Sequence, residues 1–369
     1  MNHSNSQNPK EHWEKYRDLE IARIVPTLKD IGVTLDDTQV HVGGERYLQS
    51  EKKLVLTGTK KDSGRIIAKM STSSKGKAEI ERERRCREIL NSIDFAYQDF
   101  FLPQELFFEE KDGCLLTITS YIEQDQHFID RPLEEQFFLA LRALEAQESV
   151  HATAYSHTKV IRDVFGIKTS KEYHREFVVF KEQAVADEPD NKYLCDTLER
   201  ARVFLEKGEN VIARYSGFLT HSDFVPHNIR INENDIYLLD HTSIYFGNKY
   251  ESWARFVNFM VHHNSDLEKI LCEYVRANRG EEEYLSLRLM RVYKLGFLIQ
   301  YYTGTLKKTV GDMHELMRVR LTFWTNVLRS VLDDKQIDKE ILAKFLSDED
   351  ILRSDEERAR RKEIISTRK

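Results

Sequence analysis

Long apolar runs are missing from this sequence, in which no eighteen consecutive residues are apolar. A membrane-spanning helix needs about that many, and the stretch 1–16 also lacks the apolar segment of a signal peptide. Cysteine is scarce as well: the four cysteines form no Cys-X-X-Cys pair, which argues against a cysteine zinc site or a disulfide framework. We therefore expect a cytoplasmic protein without a membrane partner.

An excess of positive charge is missing too, since 56 Lys and Arg residues face 62 Asp and Glu residues and the net charge is −6. The densest basic stretches, 81–88 and 356–363, are interleaved with glutamate, which is typical of solvated helix faces. We therefore expect no nucleic-acid partner. Six prolines and 15 glycines leave little room for low-complexity linkers. The 40% of hydrophobic residues are sufficient for a packed core.

The periodicity of apolar residues divides the chain into four parts. Residues 1–38 predict a helical extension with a break at Pro26. Residues 39–124 contain short apolar runs separated by turn residues, and they predict an antiparallel sheet with one helix. Residues 125–335 are mainly helical in pattern. The charged tail 336–369 predicts a further helix, exposed over its last twenty residues.

Several strands are predicted within the part 39–124. The strand patterns are TQVHVGG, KKLVLTGT and GRIIAKMS, and a helix pattern follows in GKAEIERERRCREIL. The segment 104–122 predicts two more strands, joined by a turn at Lys111-Asp112-Gly113. The first third of the chain is therefore expected to be antiparallel strands interrupted by one helix.

The part 125–335 contains one clear amphipathic helix and one polar hairpin. The helix pattern, 131–152, places four residues on one predicted buried face: Leu133, Phe137, Leu141 and Leu144. The hairpin pattern, within 216–246, offers the short strands NIRI and IYLLD around a NEND turn. A small strand-rich part followed by a larger helical part indicates an α+β protein of two lobes, with a cleft between them as the expected ligand site.

The polar loop HSDFVPHN, residues 221–228, precedes this hairpin and allows three interpretations. The first is a transition-metal site with His221, Asp223, His227 and His241 as candidate ligands. Pro226 counts against it, because proline disfavours the helix on which His-Glu-X-X-His sites present their ligands. The second is a surface turn whose histidines bind backbone groups. This second interpretation must also explain the hairpin that follows.

The third interpretation is phosphoryl transfer. Asp223 and Asn228 have the spacing of a kinase catalytic loop, His-X-Asp-X-X-X-X-Asn. Asp240, at the end of IYLLD, stands where the second magnesium-binding carboxylate is expected, because the hairpin returns the chain towards Asn228. The reaction needs a carboxylate that orients the acceptor hydroxyl and oxygen ligands for magnesium. These three residues supply both.

With these residues the second half of the chain resembles the aminoglycoside phosphotransferase and choline kinase family, the small-molecule branch of the protein-kinase-like fold. The family loop is usually His-Gly-Asp-X-X-X-X-Asn, and Ser222 replaces its glycine. The Asp-Phe-Gly triplet of protein kinases is Asp240-His241-Thr242 here, which points away from protein kinases. The motif covers about 216–256, and a weaker lobe pattern extends over 40–330. The resemblance implies a bilobal protein-kinase-like fold whose helical lobe, 125–335, contains the catalytic loop and the acceptor pocket.

The resemblance also implies a nucleotide site in the lobe formed by 39–124. Lys69 corresponds to the strand lysine that neutralises the α- and β-phosphates, and Glu83 is its preferred partner, with Glu79 as the alternative. No Gly-X-Gly-X-X-Gly loop is present, so Gly43 and Gly44 are the candidate phosphate-covering residues. Adenine is expected against backbone groups of the connector Ser120, Tyr121, Ile122 and Glu123.

The leading hypothesis is an ATP- and Mg²⁺-dependent kinase that phosphorylates a hydroxyl of a small molecule such as an aminoglycoside, a choline-like alcohol or a sugar. Asp223 is the candidate catalytic base, and Asn228 and Asp240 are the candidate metal ligands. The alternative is a nucleotide-binding pseudokinase or regulatory scaffold. Phosphorylation of protein side chains is a third hypothesis, disfavoured because the Asp-Phe-Gly and Ala-Pro-Glu motifs are missing.

Overall fold

The chain folds into two lobes of different character. The computed structural model describes residues 9–39, 41–42, 53–92, 100–150, 163–355 and 357–358. A small lobe built on an antiparallel sheet comes first, and a larger, mainly helical lobe follows. The predicted α+β fold class is confirmed. No helix in the described ranges is both long and apolar enough to cross a membrane.

The small lobe is organised by one five-stranded antiparallel sheet. The elements up to residue 120 are α1 (Pro9–Asp30), β1 (Val33–Leu35), β2 (Leu54–Lys60), β3 (Gly64–Ser71), α2 (Ser74–Leu90), β4 (Phe100–Phe101), β5 (Glu105–Lys111) and β6 (Cys114–Ser120). The strand order in the sheet is β1-β2-β3-β6-β5. Trp13, Ile24 and Leu28 of α1 share an apolar core with the sheet. The β5–β6 turn lies where the sequence predicts it, with positive φ at Asp112 and Gly113.

The predicted break of the first helix at Pro26 is wrong. Helix α1 continues through this residue to Asp30. Pro26 lies on the exposed side of the helix, where the carbonyl that loses its backbone partner can bind water. The buried Ile24 and Leu28 hold the opposite side against the sheet, so packing stabilises the helix across the proline.

The strand predicted over 38–44 is also misplaced. The first strand is Val33–Leu35, which pairs with β2, and the described residues of 38–44 are not in a strand. The side-chain amide of Gln39 explains where the pairing stops. Its Oε1 accepts from the backbone N–H of Thr57, and its Nε2 donates to the Thr57 carbonyl, both at 2.8 Å. The backbone N–H of Asp36 still donates to the Thr57 carbonyl at 3.0 Å, but the Gln39 side chain takes the place of a strand carbonyl as the acceptor for the Thr57 N–H.

The large lobe wraps helices around two small sheets that carry the polar loop. Its elements are α3 (Leu133–Glu148), α4 (Ser170–Asp187), α5 (Lys192–Lys207), α6 (Glu209–Arg214), β7 (Ser216–His221), β8 (Ile229–Asn232), β9 (Asp235–Leu238), β10 (Ile244–Asn248), α7 (Tyr250–His263), α8 (Ser265–Arg279), α9 (Glu281–Leu306), α10 (Gly311–Leu332) and α11 (Lys339–Leu352). β7 pairs with β10 and β8 with β9, both antiparallel, and β4 joins β9 in parallel. Phe224 and Val225 of the loop are fully buried, so the core anchors the polar residues beside them.

The buried face of α3 is rotated relative to the prediction. Its buried residues include Gln136, Ala140, Ala143, Leu144 and Gln147, whereas the other predicted positions, Leu133, Phe137 and Leu141, are only partly buried. The two alanines allow α3 to lie close to its neighbours. Gln147 has a polar role in the interior: its Oε1 accepts from the backbone N–H of His221 at 3.2 Å and from the hydroxyl of Ser252 at 2.6 Å. Helix α3 thereby supports the polar loop.

The charged tail buries one side of its described part, whereas the exposed helix predicted over its last twenty residues falls largely outside the described residues. Helix α11 buries Phe345, and Glu349, Arg353 and Glu357 are each less than 9% exposed. These charged residues form an ion-pair cluster with Arg320 of α10, whose Nε lies 3.1 Å from Glu349 Oε1. Charges can be buried when each has an opposite partner. Arg320 comes from a different helix, so the composition of the tail could not reveal this pairing and suggested solvent exposure instead.

Candidate active site

The polar loop and the hairpin after it form one hydrogen-bonded unit. The hairpin returns the chain so that the Leu239 N–H donates to the Asn228 carbonyl at 2.8 Å. The Ser222 N–H donates to the Ser243 carbonyl, also at 2.8 Å. Asp240 follows Leu239 directly and is therefore held beside the loop, at the place where the hairpin pattern puts it.

His221 supports the loop with both ring nitrogens. Its Nδ1 accepts from the backbone N–H of Asp223 at 3.2 Å, so the ring proton is on Nε2, which donates to the Leu239 carbonyl at 2.9 Å. The side chain is fully buried and has no nitrogen left for a metal. In the described part of the chain, no group of three or more His, Cys, Asp and Glu side chains is arranged to hold a metal ion. The histidine-led transition-metal interpretation therefore lacks a ligand set among those residues.

Asp223 is held between two side chains. Its Oδ2 accepts from Asn228 Nδ2 at 3.0 Å, and its Oδ1 accepts from Arg255 Nε at 2.7 Å. Desolvation would raise the pKa of Asp223, but the positive charge of Arg255, with smaller contributions from His227 and His221, holds that pKa well below its usual range. Asp223 is therefore an ionised carboxylate that keeps 38% of its side chain exposed to the cleft.

Asn228 is oriented by this same aspartate. Its Nδ2 donates both to the Asp223 carboxylate and to the Asp223 carbonyl, the latter at 2.8 Å. The amide nitrogen is thus used within the loop, which leaves the Oδ1 oxygen as the group with ligand character. The residue lines the cleft between the lobes.

Asp240 has an unusual backbone conformation, with φ 53° and ψ 59°. Left-handed conformations are uncommon outside glycine and cluster at functional sites. The side chain is fixed by two hydroxyls, since Thr242 donates to Oδ1 at 2.7 Å and Ser243 to Oδ2 at 2.8 Å. The next residue, His241, is buried and binds the Leu238 carbonyl at 2.8 Å. The carboxylate of Asp240 is therefore aimed by both its backbone and its hydrogen bonds.

Two parallel ion pairs join the small sheet to α2. Lys69 of β3 binds Glu83, and Lys53, just before β2, binds Glu79. Glu79 and Glu83 are one helical turn apart, so they project from the same side of α2. Both lysines line the cleft that contains Asp240. The structure thus pairs Lys69 with Glu83, and it gives Glu79 to a lysine that the sequence reasoning overlooked.

Lys53 was detectable from strand register. In the β2–β3 hairpin Val55 lies directly opposite Lys69, and Lys53, two residues before Val55, belongs to the same face. Arg255 gave no such signal, because 31 residues of sequence separate it from Asp223. Only the packing of α7 against the loop brings them together.

The Lys69–Glu83 pair predicts a pH dependence of stability. Burial by itself would raise the pKa of Glu83, but Lys69 and Lys53 lower it to about 2. A carboxyl with a depressed folded-state pKa stabilises the protein above its unfolded pKa, and this contribution is lost as the pH falls. We expect Glu83→Gln to lower the free energy of unfolding most above about pH 5, with the deficit shrinking towards pH 2. Urea unfolding across this range measures it, with exposed Glu109→Gln as the control, and a pH-independent deficit would contradict it.

A cleft of about 1240 Å³ lies between the lobes and contains these groups. At the small-lobe end of the cleft the apolar lining consists of Val55 and Ile67 of the sheet, together with Leu239, which comes from the large lobe. The cleft walls also include Ser120, Tyr121 and Ile122 at the connector. The apolar walls therefore form a slot that leads to the two lysines and to Asp240.

The connector residues differ in whether their backbone N–H groups are already used in hydrogen bonds within the protein. The Ser120 N–H donates to the Gln104 carbonyl at 2.9 Å and the Tyr121 N–H to the Arg65 carbonyl at 3.1 Å. The Glu123 side chain is 64% exposed and lies 3.5 Å from Arg65. Of the four connector residues, the backbone N–H of Ile122 is the one that lines the cleft without such a bond to the described residues. Gly43 and Gly44 lie outside the described residues.

Comparisons with known proteins bear on the fold. No protein-family model and no curated protein matches the chain. Among solved structures, the apo form of a thermostable mutant of aminoglycoside phosphotransferase APH(4)-Ia has a TM-score of 0.57 and 13% identity, covering 84% of this chain and 97% of that one. A mutant of the same enzyme in ternary complex with ADP and hygromycin B has a TM-score of 0.56 and 12% identity, covering 83% and 96%. Macrolide 2'-phosphotransferase type I has a TM-score of 0.55 and 14% identity, covering 82% and 97%. The chain therefore has the bilobal kinase-like fold of the aminoglycoside phosphotransferases, which confirms at the level of the fold the resemblance that the catalytic-loop motif carries.

Proposed function

We propose that this protein is an ATP- and Mg²⁺-dependent kinase that transfers a phosphoryl group to a hydroxyl of a small molecule. The observation that carries the proposal is the convergence of Lys69, Asp223, Asn228 and Asp240 on one interlobe cleft. A nucleotide-binding scaffold would not need a carboxylate such as that of Asp223, which is exposed to the cleft next to the side-chain amide of Asn228. Similar solved structures include one in complex with ADP and hygromycin B, which agrees with a nucleotide and a small molecule sharing such a cleft.

The nucleotide fits the small-lobe side of the cleft. Adenine would stack in the slot between Val55, Ile67 and Leu239, with the Ile122 N–H as its backbone donor. Lys69, oriented by Glu83, would neutralise the phosphates. Lys53 would do the same from the neighbouring strand, and it compensates for the missing Gly-X-Gly-X-X-Gly pattern.

The residues beside the phosphate position fit a magnesium ion. Asn228 Oδ1 and the Asp240 carboxylate are hard oxygen ligands on neighbouring parts of the loop and hairpin, the kind of set that magnesium shares with water and phosphate oxygens. Thr242 and Ser243 hold the Asp240 oxygens in place. When bound, the metal supplies neutralisation of the charge that develops on the transferred group.

Asp223 would orient the acceptor hydroxyl. Because Arg255 keeps the pKa of Asp223 well below its usual range, this carboxylate is a weak base and a strong hydrogen-bond acceptor. Its main contribution is therefore to align the hydroxyl oxygen with the phosphorus atom, with the proton taken late. His221 and Asn228 fix the loop so that the carboxylate does not have to reorganise.

An ADP-release screen with ATP and Mg²⁺ tests the proposal. The acceptors are aminoglycosides, choline-like alcohols, sugars, amino-acid alcohols and hydroxy acids such as glycerate and glucuronate, and Asp240→Ala provides the blank. Acceptor-dependent ADP release by the unchanged protein alone is the expected result. Nucleotide binding without ATP consumption across the whole panel would refute the kinase and favour the regulatory scaffold.

Replacing either cleft lysine should impair the use of ATP, and the effect should be larger for Lys69 than for Lys53. We expect Lys69→Met to lower kcat/KM for ATP by about 100-fold or more, because it removes charge stabilisation in a water-poor site. Lys53→Met leaves Lys69 in place and should raise KM for ATP by about tenfold, the loss of one phosphate contact. Steady-state kinetics measures both, with the exposed Lys111→Met as the control. An unchanged KM in Lys53→Met would remove Lys53 from the nucleotide site.

A further inference from the structure

Apart from Asp240, the proposed metal ligand, the described carboxylates on the large-lobe side of the cleft are paired with protein cations. They are five residues, namely Glu176, Asp223, Glu251, Glu349 and Glu357. Glu176 lies 2.9 Å from Lys168, Asp223 lies 2.7 Å from Arg255, and Glu251 lies 3.3 Å from Lys294. The remaining two belong to the ion-pair cluster of the tail. A polycationic acceptor would therefore have to compete with a protein cation at each of these five carboxylates.

Arg255 has binding capacity left over. Its Nε is used by Asp223, whereas its two terminal nitrogens make no hydrogen bond to the described residues. The side chain is 22% exposed and lines the cleft. A guanidinium presents its terminal N–H groups in a planar fork that matches a carboxylate or a phosphate. This fork lies beside the residue proposed to hold the acceptor hydroxyl.

Lys294 adds a second cation to the same place. Its partner Glu251 is fully buried and also accepts from Tyr173 at 2.5 Å. The Lys294 side chain is 9% exposed and lines the cleft. Burial lowers the pKa of Lys294, Glu251 opposes this, and the nearby Arg255 and Lys168 add to the lowering. Lys168, Arg255 and Lys294 are each paired with one of the carboxylates named above, so the cluster is balanced in charge and offers a ligand N–H donors.

Aromatic rings line the cleft next to these cations. Lys168 Nζ lies 4.7 Å from the centroid of the Tyr245 ring and 5.4 Å from that of Tyr293. Phe297 of the same helix as Tyr293 also lines the cleft and is 46% exposed. Flat ring faces accommodate the carbon skeleton of a sugar or of another cyclic compound without adding charge.

We propose that the acceptor is an anionic alcohol, whose carboxylate or phosphate group is bound by Arg255 and Lys294 while its hydroxyl faces Asp223. The inference rests on the proposed function, because it names the substrate class of the same site. It departs from the polycationic aminoglycosides that the sequence resemblance suggested as candidate acceptors. The reason is that the unused hydrogen-bonding groups beside Asp223 are donors and carry positive charge.

Binding of matched compounds tests the inference independently of turnover. The protein is loaded with Mg²⁺ and a non-hydrolysable ATP analogue, and calorimetry compares two series: glucuronate, glucose and glucosamine; glycerate, glycerol and 2-amino-1,3-propanediol. We expect the acid of at least one series to bind about tenfold or more tightly than its neutral counterpart, since charge-assisted hydrogen bonds are the stronger ones. The amine should bind most weakly. Equal or tighter binding of the amines, or no acid bound in preference to its neutral counterpart, would overturn the inference.

Variants distinguish a specific effect of the charge of Arg255 on binding from a general loss of structure. In Arg255→Gln the affinity ratio between the acid and its neutral counterpart should fall towards one, and this ratio cancels any loss that both compounds share through Asp223. Arg202→Gln, on the surface of α5 and away from the cleft, should keep the ratio. An unchanged ratio in Arg255→Gln would overturn the assignment.

The outcomes for this inference and for the kinase proposal are distinct. Selective binding of the acids without acceptor-dependent ADP release would keep the charge preference and refute the kinase. ADP release with an aminoglycoside, and with no acid, would keep the kinase and overturn the charge preference.

Discussion

Replacing Asp240 by asparagine should lower acceptor-dependent ADP release by about 1,000-fold, because a metal ligand in such a site contributes several kcal/mol to transition-state stabilisation. The asparagine keeps the size of the side chain and tolerates the left-handed backbone at φ 53°. The loss would therefore reflect the missing charge at the metal rather than a misfolded hairpin. Steady-state kinetics over a range of Mg²⁺ concentrations measures the loss of rate. The Mg²⁺ requirement, meaning the concentration that gives half-maximal activity, should rise.

A control on the same hairpin makes this result specific. Asp235 begins β9 and is not among the residues that line the cleft, so Asp235→Asn should leave both the rate and the Mg²⁺ requirement unchanged. If Asp240→Asn kept the full rate with an unchanged Mg²⁺ requirement, Asp240 would not be a metal ligand and the phosphoryl-transfer interpretation would lose its second carboxylate.

Replacing Asp223 by asparagine should lower kcat by about 100- to 10,000-fold, the range expected when a positioned proton acceptor is removed. The KM for ATP should change little, because Asp223 is proposed to face the acceptor, whereas most of the proposed nucleotide contacts come from the small lobe. Asparagine keeps the size of the side chain and one acceptor oxygen, for Asn228 or for Arg255, while its amide nitrogen cannot accept from the other donor. Rates with saturating ATP, together with nucleotide affinity, separate the two effects.

The pairing of Asp223 with Arg255 sharpens this prediction. Since Arg255 lowers the pKa of Asp223, the carboxylate stays ionised throughout the neutral range, and kcat should show no acidic limb from Asp223 above about pH 5. A full rate in Asp223→Asn would remove this residue from the chemistry. An acidic limb near neutral pH that disappears in the variant would show that Arg255 does not control its ionisation.

Local sequence signals were sufficient for the catalytic loop. Pro226 disfavours a continuing α-helix, and the apolar residues of NIRI and IYLLD alternate as strands, so the return of the chain from Asn228 to Asp240 followed from the residues alone. The same holds for the turn at Asp112 and Gly113, since both residue types tolerate the positive φ observed there. Short-range conformational preferences act within a few residues, and that is the range a single sequence reveals.

By itself, the sequence determined the two-lobe order, the hairpin and the spacing of Asp223, Asn228 and Asp240. The tertiary structure alone decided which glutamate binds Lys69, because the packing of α2 on the sheet gives Glu79 to Lys53 and Glu83 to Lys69. It also decided that Arg255 binds Asp223 and that Glu349, Arg353 and Glu357 of the charged tail are buried. Each of these depends on pairing between charges far apart in the chain. Such pairing is a property of packed surfaces, and residue periodicity does not record it.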